Sequence, residues 1–484
     1  MRQAVGSGTT SDTLDPNQIE SSFTTQAGFQ LRNNLTEIAP DNSVRPELAE
    51  SWETSRDATT WIFRLRKGVE FHNGKTLNST DVVNSFSYYR DKSNGSMRHD
   101  LLQHINSIEE DGSDIVKFTL NRPDPDFSTV VTDPRFPVLP IIDPTEDDCC
   151  KRTTETGVGT GPYQLKSFEP GVIMHTTRNP NYWKDDAAYF DEIQTISILD
   201  PSARENALLA GEVDIVYPIG AKSSSILGRS NTSTVLESGG RNYISIPMNA
   251  NIPPFDNINV RRALKHSIDR NEVIDRVFRG YAFTGNDHPI SKAYRFFSED
   301  VEQNQFDTDK SRFFLNKAGH NGLRVPLHVS EQGAEGAENI AILYQDSARR
   351  AGIEIDLVRE PSDGYWTNVW RTKPWVFSSW SGDLTELGIL NRAWAPDGTW
   401  NESQWKDENF MKILNDVRTL NDFSLRKDLF NRVQAYLRDN GAIVVPVFLP
   451  FVQGVNTRLG MPTQIASNME LDGHKNSERW WFAD

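Results

Sequence analysis

The sequence predicts a mixed α/β protein, and three observations carry that reading. Strand-like segments alternate with capped helices along the whole chain. Segment 61–66 repeats apolar residues with a period of two. Segment 443–451 is a nearly unbroken apolar run, the pattern of a buried strand.

In order, Trp61, Phe63 and Leu65 share one face of segment 61–66, with charge opposite, and Gly68 ends it. Asn73-Gly74 makes a turn. Thr80 is expected to cap a helix carrying Val82, Val83, Phe86 and Tyr89 on one side. Segment 115–120 is a second strand, ended by Asn121-Arg122-Pro123. Asp200 caps a helix with Pro201 in its first turn and Gly211 past its end, after which 213–216 runs extended. Segment 242–249 is strand-like and leads into the turn-rich 251–256. A helix bearing Val260, Ala263 and Leu264 follows. Asp269 with Glu272 three residues on forms a capping box, and that helix turns Ile274, Val277 and Phe278 inward before Gly280.

The 484 residues carry 51 basic and 67 acidic side chains, a net charge of −16. That balance disfavours nucleic acid and anionic lipid as partners. No apolar run reaches the roughly 20 residues of a membrane helix, and the first residues lack the apolar core of a signal peptide. The cysteines, Cys149 and Cys150, are adjacent in an acidic stretch; a bridge between them would be strained, and two inert thiols are the simpler reading. The nine histidines show no metal-ligand spacing. Neither a metal nor another cofactor is expected.

Seven of the twelve tryptophans (Trp366, Trp370, Trp375, Trp380, Trp394, Trp400 and Trp405) lie within forty residues. Uniform spreading would place about one there. Asp363, Asp383, Glu386, Asp397 and Glu402 are interleaved with them. Indole faces beside carboxylates suit a small ligand that is partly apolar and positively charged.

Five motifs then point to a family. Segment 44–53 (VRPELAESWE) continuing into 60–75 (TWIFRLRKGVEFHNGK) strongly resembles the signature of the extracytoplasmic solute-binding proteins of the peptide/nickel class of ABC importers. GTGPY at 159–163, RNPNYW at 178–183, GEVD at 211–214, and VRRAL at 260–264 with IDR at 268–270 agree in the family's order. The resemblance implies the two-lobed periplasmic-binding-protein fold, with an extra subdomain near 43–155. It places lobe I at 1–244 plus 447–484 and lobe II at 245–446, joined by crossing strands near 242–249 and 443–452. A monomer in the periplasm, its leader removed, is expected to close on a solute and deliver it to a membrane permease. His72, Tyr182 and Asp214 read as scaffold, as do Trp52 and Trp183.

By the same resemblance, Trp380 flanks the ligand, the backbone of Ser381 and Gly382 pairs with it, and Asp383 anchors its ammonium. The stretch 330–339 has no basic residue where dipeptide-binding members hold the ligand carboxylate; it offers Gln332 and acids. Further candidate contacts are Phe23, Thr24 and Gln26 in an expected loop at 22–26, then Asp363, Tyr365 and Trp366, and finally Trp394, Trp400 and Glu402. The expected ligand is a small peptide or amine-bearing conjugate such as an opine. An oligosaccharide is the alternative, and a hydrolase pairing Asp397 with Glu402 is a remote one, because no nucleophile or metal motif is present.

Overall fold

The structure is a computed structural model, described for residues 1–94, 99–141, 155–220, 224 and 226–483. Cys149 and Cys150 lie outside the described residues. The chain divides into two compact units, Met1–Ser238 with Phe451–Asp484, and Gly239–Pro450. The strands Ser233–Pro247 and Val447–Asn456 each run across that division.

The first unit is built on a mixed sheet. Strand Arg2–Val5 pairs in parallel with Glu192–Ser197 and Ile215–Tyr217, and the antiparallel strands Ile173–Arg178 and Tyr163–Glu169 extend one side. A second, wholly antiparallel sheet takes the order Ala49–Thr54, Thr60–Leu65, Ile115–Leu120, Ile105–Glu110. The period-two pattern places Trp61, Phe63 and Leu65 in its core, where Phe86 of helix Ser79–Arg90 meets Phe118 with ring centroids 5.1 Å apart.

That helix corrects the expected cap. Asn78, not Thr80, closes it: the Asp81 N–H donates to Asn78 Oδ1 and the Asn78 N–H to Asp81, a reciprocal capping box. The Thr80 hydroxyl donates to Glu110 instead.

Two of the quoted motifs lock together in this unit. The Gly159 N–H donates to His72 Nδ1, which leaves Nε2 to donate to the Gly161 carbonyl. Burial pushes the His72 pKa down to about 4, so the ring stays neutral. A side chain at Gly161 would put Cβ 2.3 Å from the Leu31 carbonyl carbon, so only glycine fits there.

Glu37, Glu47 and Glu478 converge on Lys184, Lys475 and Arg479, deep in the same unit. Burial alone would raise the Glu37 carboxyl, but the three cations around it hold it well below the usual range. Asp472, 3.2 Å from Arg479 Nη1, is a fourth acid, so four carboxylates and three cations form the ion cluster.

The second unit has a parallel pair, Leu323–Val329 with Ile353–Arg359, joined through helix Ala337–Arg350. Residues Tyr243, Ile244 and Ser245 pair antiparallel with Trp380, Ser379 and Ser378. The apolar run 443–451 is broken: Ile443–Val444 pairs with Pro247 and Ile246, and a separate strand starts at Val447. Pro446 lacks the N–H that a continuous ladder requires. Strand Ser233–Pro247 begins nine residues before the expected start at 242, passing through Gly239-Gly240; a Cβ at Gly240 would lie 2.2 Å from the Leu449 carbonyl oxygen.

Candidate functional site

In the second unit Trp366, Trp370, Trp380 and Trp400 of the tryptophan-rich segment form one connected group. Of these, Trp366 and Trp400 are exposed and Trp380 is buried, while Trp375, Trp394 and Trp405 are core residues. Strand Ser378–Trp380 leads to Gly382 at φ +77°, a left-handed turn in which a side chain would strike Arg241 and the Tyr294 hydroxyl. The turn is pinned from beneath. The Asp383 N–H donates to Tyr294 Oη (2.9 Å), and Arg241 Nη1 donates to the Asp383 and Leu384 carbonyls (3.0 and 2.8 Å). The Asp383 carboxylate accepts from the Leu384 N–H at 2.7 Å and pairs with Arg392 Nη2 at 2.6 Å. Gly388 makes room for it, since a Cβ there would sit 2.7 Å from the carboxyl carbon.

Arg392 comes from a local irregularity. Helix Glu386–Ile389, capped by Thr385, widens into a π-turn over Leu390–Trp394, closed by the Ala395 N–H donating to the Leu390 carbonyl at 2.7 Å. Such turns shift the side chains after them by one position and are frequent at functional sites. The loop then folds back: the Trp400 N–H donates to the Arg392 carbonyl, and the Trp400 ring lies 5.6 Å from the guanidinium. Trp380 packs on Trp400 with centroids 5.8 Å apart.

Glu402 organises the rest. Its carboxylate is buried and accepts from Ser245 Oγ (2.6 Å), Trp370 Nε1 (2.8 Å) and Trp380 Nε1 (3.1 Å). Burial raises its pKa, opposed by these donors. Trp366 stands edge-on to Trp370 at 5.6 Å. A continuous path therefore runs from Trp366 through Trp370, Glu402, Trp380 and Trp400 to Arg392 and Asp383.

The other expected site residues are distributed differently. Trp394 is buried and donates to the Tyr243 hydroxyl, and Tyr365 is buried and donates to the Phe377 carbonyl. Asp363, Gln332 and Ser381 are exposed. The expected loop at 22–26 is the start of helix Ser22–Leu31, closed by a Ser21/Thr24 capping box. Phe23, Thr24 and Gln26 are enclosed in the first unit, with Gln26 bonded to Gln3, His474 and Asn476. Arg392, Tyr294 and Ser245 were not expected, and nothing local marks them; Trp370 was counted in the tryptophan run but not among the candidate contacts. Asp397 is 67% exposed at its side chain and faces Arg418, whereas Glu402 is sealed by indole and hydroxyl donors, so the two carboxylates do not act as a pair.

The family model for bacterial extracellular solute-binding proteins, family 5, matches residues 43–400. The chain belongs to this family. It is similar to the Di/tripeptide-binding protein 1 of Pseudomonas aeruginosa (strain UCBPP-PA14), with 27% identity over 84% of this chain and 81% of that one. It is also similar to the glutathione-binding protein GsiB of Escherichia coli (strain K12), with 28% identity over 73% and 68% of the two chains. HbpA2 from Haemophilus parasuis superposes with a TM-score of 0.86 at 23% identity, covering 98% and 99% of the two chains, which shows the periplasmic-binding-protein fold. As a family 5 member the protein is an extracytoplasmic solute-binding component of an ABC importer and not an enzyme, which removes the hydrolase reading. Among the described residues no helix is long and apolar enough to cross a membrane. An oligosaccharide as solute finds no support among these relatives.

Proposed function

We propose that this receptor captures a small peptide or peptide-like solute against the aromatic surface of its second unit and delivers it, from the periplasm, to a membrane permease. One observation carries the reading. Beside Trp380, the backbone N–H and C=O groups of Ser381 and Gly382 have no backbone partner among the described residues. The preceding strand, Ser378–Trp380, pairs through Tyr243, Ile244 and Ser245 on one side. Ser381 is exposed, so solvent can meet its groups until an extended peptide supplies matching ones as an added strand. The indoles of Trp380 and Trp400 would then cover the apolar part of the guest. The relatives named for di- and tripeptides and for glutathione agree with this chemistry.

Calorimetric titration with alanyl-alanine, reduced glutathione and maltotriose tests the proposal. Saturable binding of either peptide, reduced about tenfold or more by Trp380→Ala, is expected. Binding of maltotriose alone would overturn it.

A further inference from the structure

We propose that a cavity beside the strand Ser233–Pro247 is a second binding site, for an uncharged aromatic molecule of one or two rings, and that its occupancy strengthens solute binding at the tryptophan surface. The site goes beyond the peptide reading, and its effect on affinity rests on that reading. The cavity measures about 490 Å³, and every residue lining it belongs to the second unit. Small-molecule sites occupy about 300–1,000 Å³. Close approach of backbones builds the wall. A Cβ at Gly240 would lie 2.2 Å from the Leu449 carbonyl oxygen, and one at Gly285 would lie 2.1 Å from that of Val445. Phe448 falls between those contacts in sequence and stands opposite Phe283 in the strand register. Phe448 is buried, whereas Phe283 is 38% exposed, an apolar ring left open to a guest.

What the wall offers a guest is chiefly ring surface. Three of its polar side chains are already committed: Ser291 Oγ donates to the Gly240 carbonyl, Asn286 Nδ2 to the Glu302 carbonyl, and Gln303 Nε2 to the Gly285 carbonyl. His288 packs against Phe448 with ring centroids 6.4 Å apart. Burial pushes its pKa down to about 4, so it adds a neutral ring. Lys292 and Glu299 are exposed and pair with each other at 3.2 Å, and Glu302 faces Arg438 at 3.9 Å. A charged guest would lose hydration there without gaining a free counter-ion, whereas an aromatic one gains ring contact and burial.

The cavity also touches what holds the solute site. Gly240 is followed by Arg241, whose Nη1 donates to the Asp383 and Leu384 carbonyls and whose guanidinium lies 4.6 Å from the Tyr294 ring. A guest packed on Gly240 braces the strand beside that clamp, and with it the turn at Ser381 and Gly382. A turn braced beforehand leaves less to be ordered when the solute arrives.

Calorimetric titration of indole into the full chain tests the site. Saturable one-to-one binding is expected, weakened about fivefold or more by Phe283→Ala and unchanged by Trp380→Ala. Phe283→Leu, which keeps an apolar side chain, should recover part of the lost affinity and guards against a misfolded variant. Saturating indole should tighten alanyl-alanine binding to the wild type about fivefold. Indole binding that is absent, that is indifferent to Phe283→Ala, or that is lost in Trp380→Ala overturns the site. Alanyl-alanine affinity unmoved or weakened by saturating indole overturns the coupling. A wild type that takes indole but no peptide overturns the peptide reading and the coupling, and leaves the second site standing.

Discussion

Glu402 is the residue on which the aromatic surface turns. It meets no cation among the described residues, yet one carboxylate receives two indole N–H groups and a serine hydroxyl. Glu402→Ala would leave those donors without an acceptor, and urea unfolding should show a loss of about 3 kcal/mol. The pH dependence has a definite sign. A carboxyl raised above its unfolded value of about 4.3 stabilises the fold most when protonated, and that contribution fades as pH rises through the raised pKa. The stability of the wild type relative to Glu402→Gln should therefore decline from about pH 4 upward, whereas a flat difference would contradict a raised pKa. Trp400 differs from its neighbours because it is 44% exposed. Trp400→Ala should cost under about 0.5 kcal/mol of stability while weakening peptide binding several-fold, read from paired melting and titration experiments.

At the scale of elements, the strands and caps set by local chemistry were legible in the sequence. Segment 115–120 is a strand over those residues, and Asp200 accepts the Ala203 N–H at the head of helix Pro201–Leu209. The helix at Ser22–Leu31 was misread because its opening, Ser-Phe-Thr-Thr-Gln, is polar and β-branched, and its burial comes from tertiary contacts. The tryptophan cluster was visible as composition, but which rings face outward was not. The π-turn at Leu390–Trp394 breaks the 3.6-residue period, so no helical phase could sort the buried Trp394 from the exposed Trp400. Arg392 stayed hidden for the same reason. Gly382 tests this architecture: Gly382→Ala forces a Cβ to within 2.5 Å of the Arg241 Cβ at φ +77°. It should destabilise the protein by about 2 kcal/mol or more in chemical denaturation and disable solute binding.

At the scale of the whole molecule, each unit has its own cores and its own polar anchor. The first is stitched by the ion cluster of Glu37, Glu47, Asp472, Glu478, Lys184, Lys475 and Arg479, and by the glycine-dependent contact of Gly159 and Gly161 with helix Ser22–Leu31. Four of the five motifs that announce the family, including the one that holds His72, lie in this first unit and the fifth, at 260–270, in the second, and none of them contributes a residue to the aromatic surface. That separation explains why family membership was easier to read than the ligand. A solute that binds only the folded chain should raise its melting temperature, by about 2.7 kcal/mol of added stability at a hundredfold excess over Kd.

The most direct test of the central claim is calorimetric titration of alanyl-alanine into the wild type and into Trp380→Ala. The account predicts saturable one-to-one binding in the wild type and its marked weakening in the variant. Undiminished affinity in Trp380→Ala would place the solute away from the tryptophan surface and contradict the account.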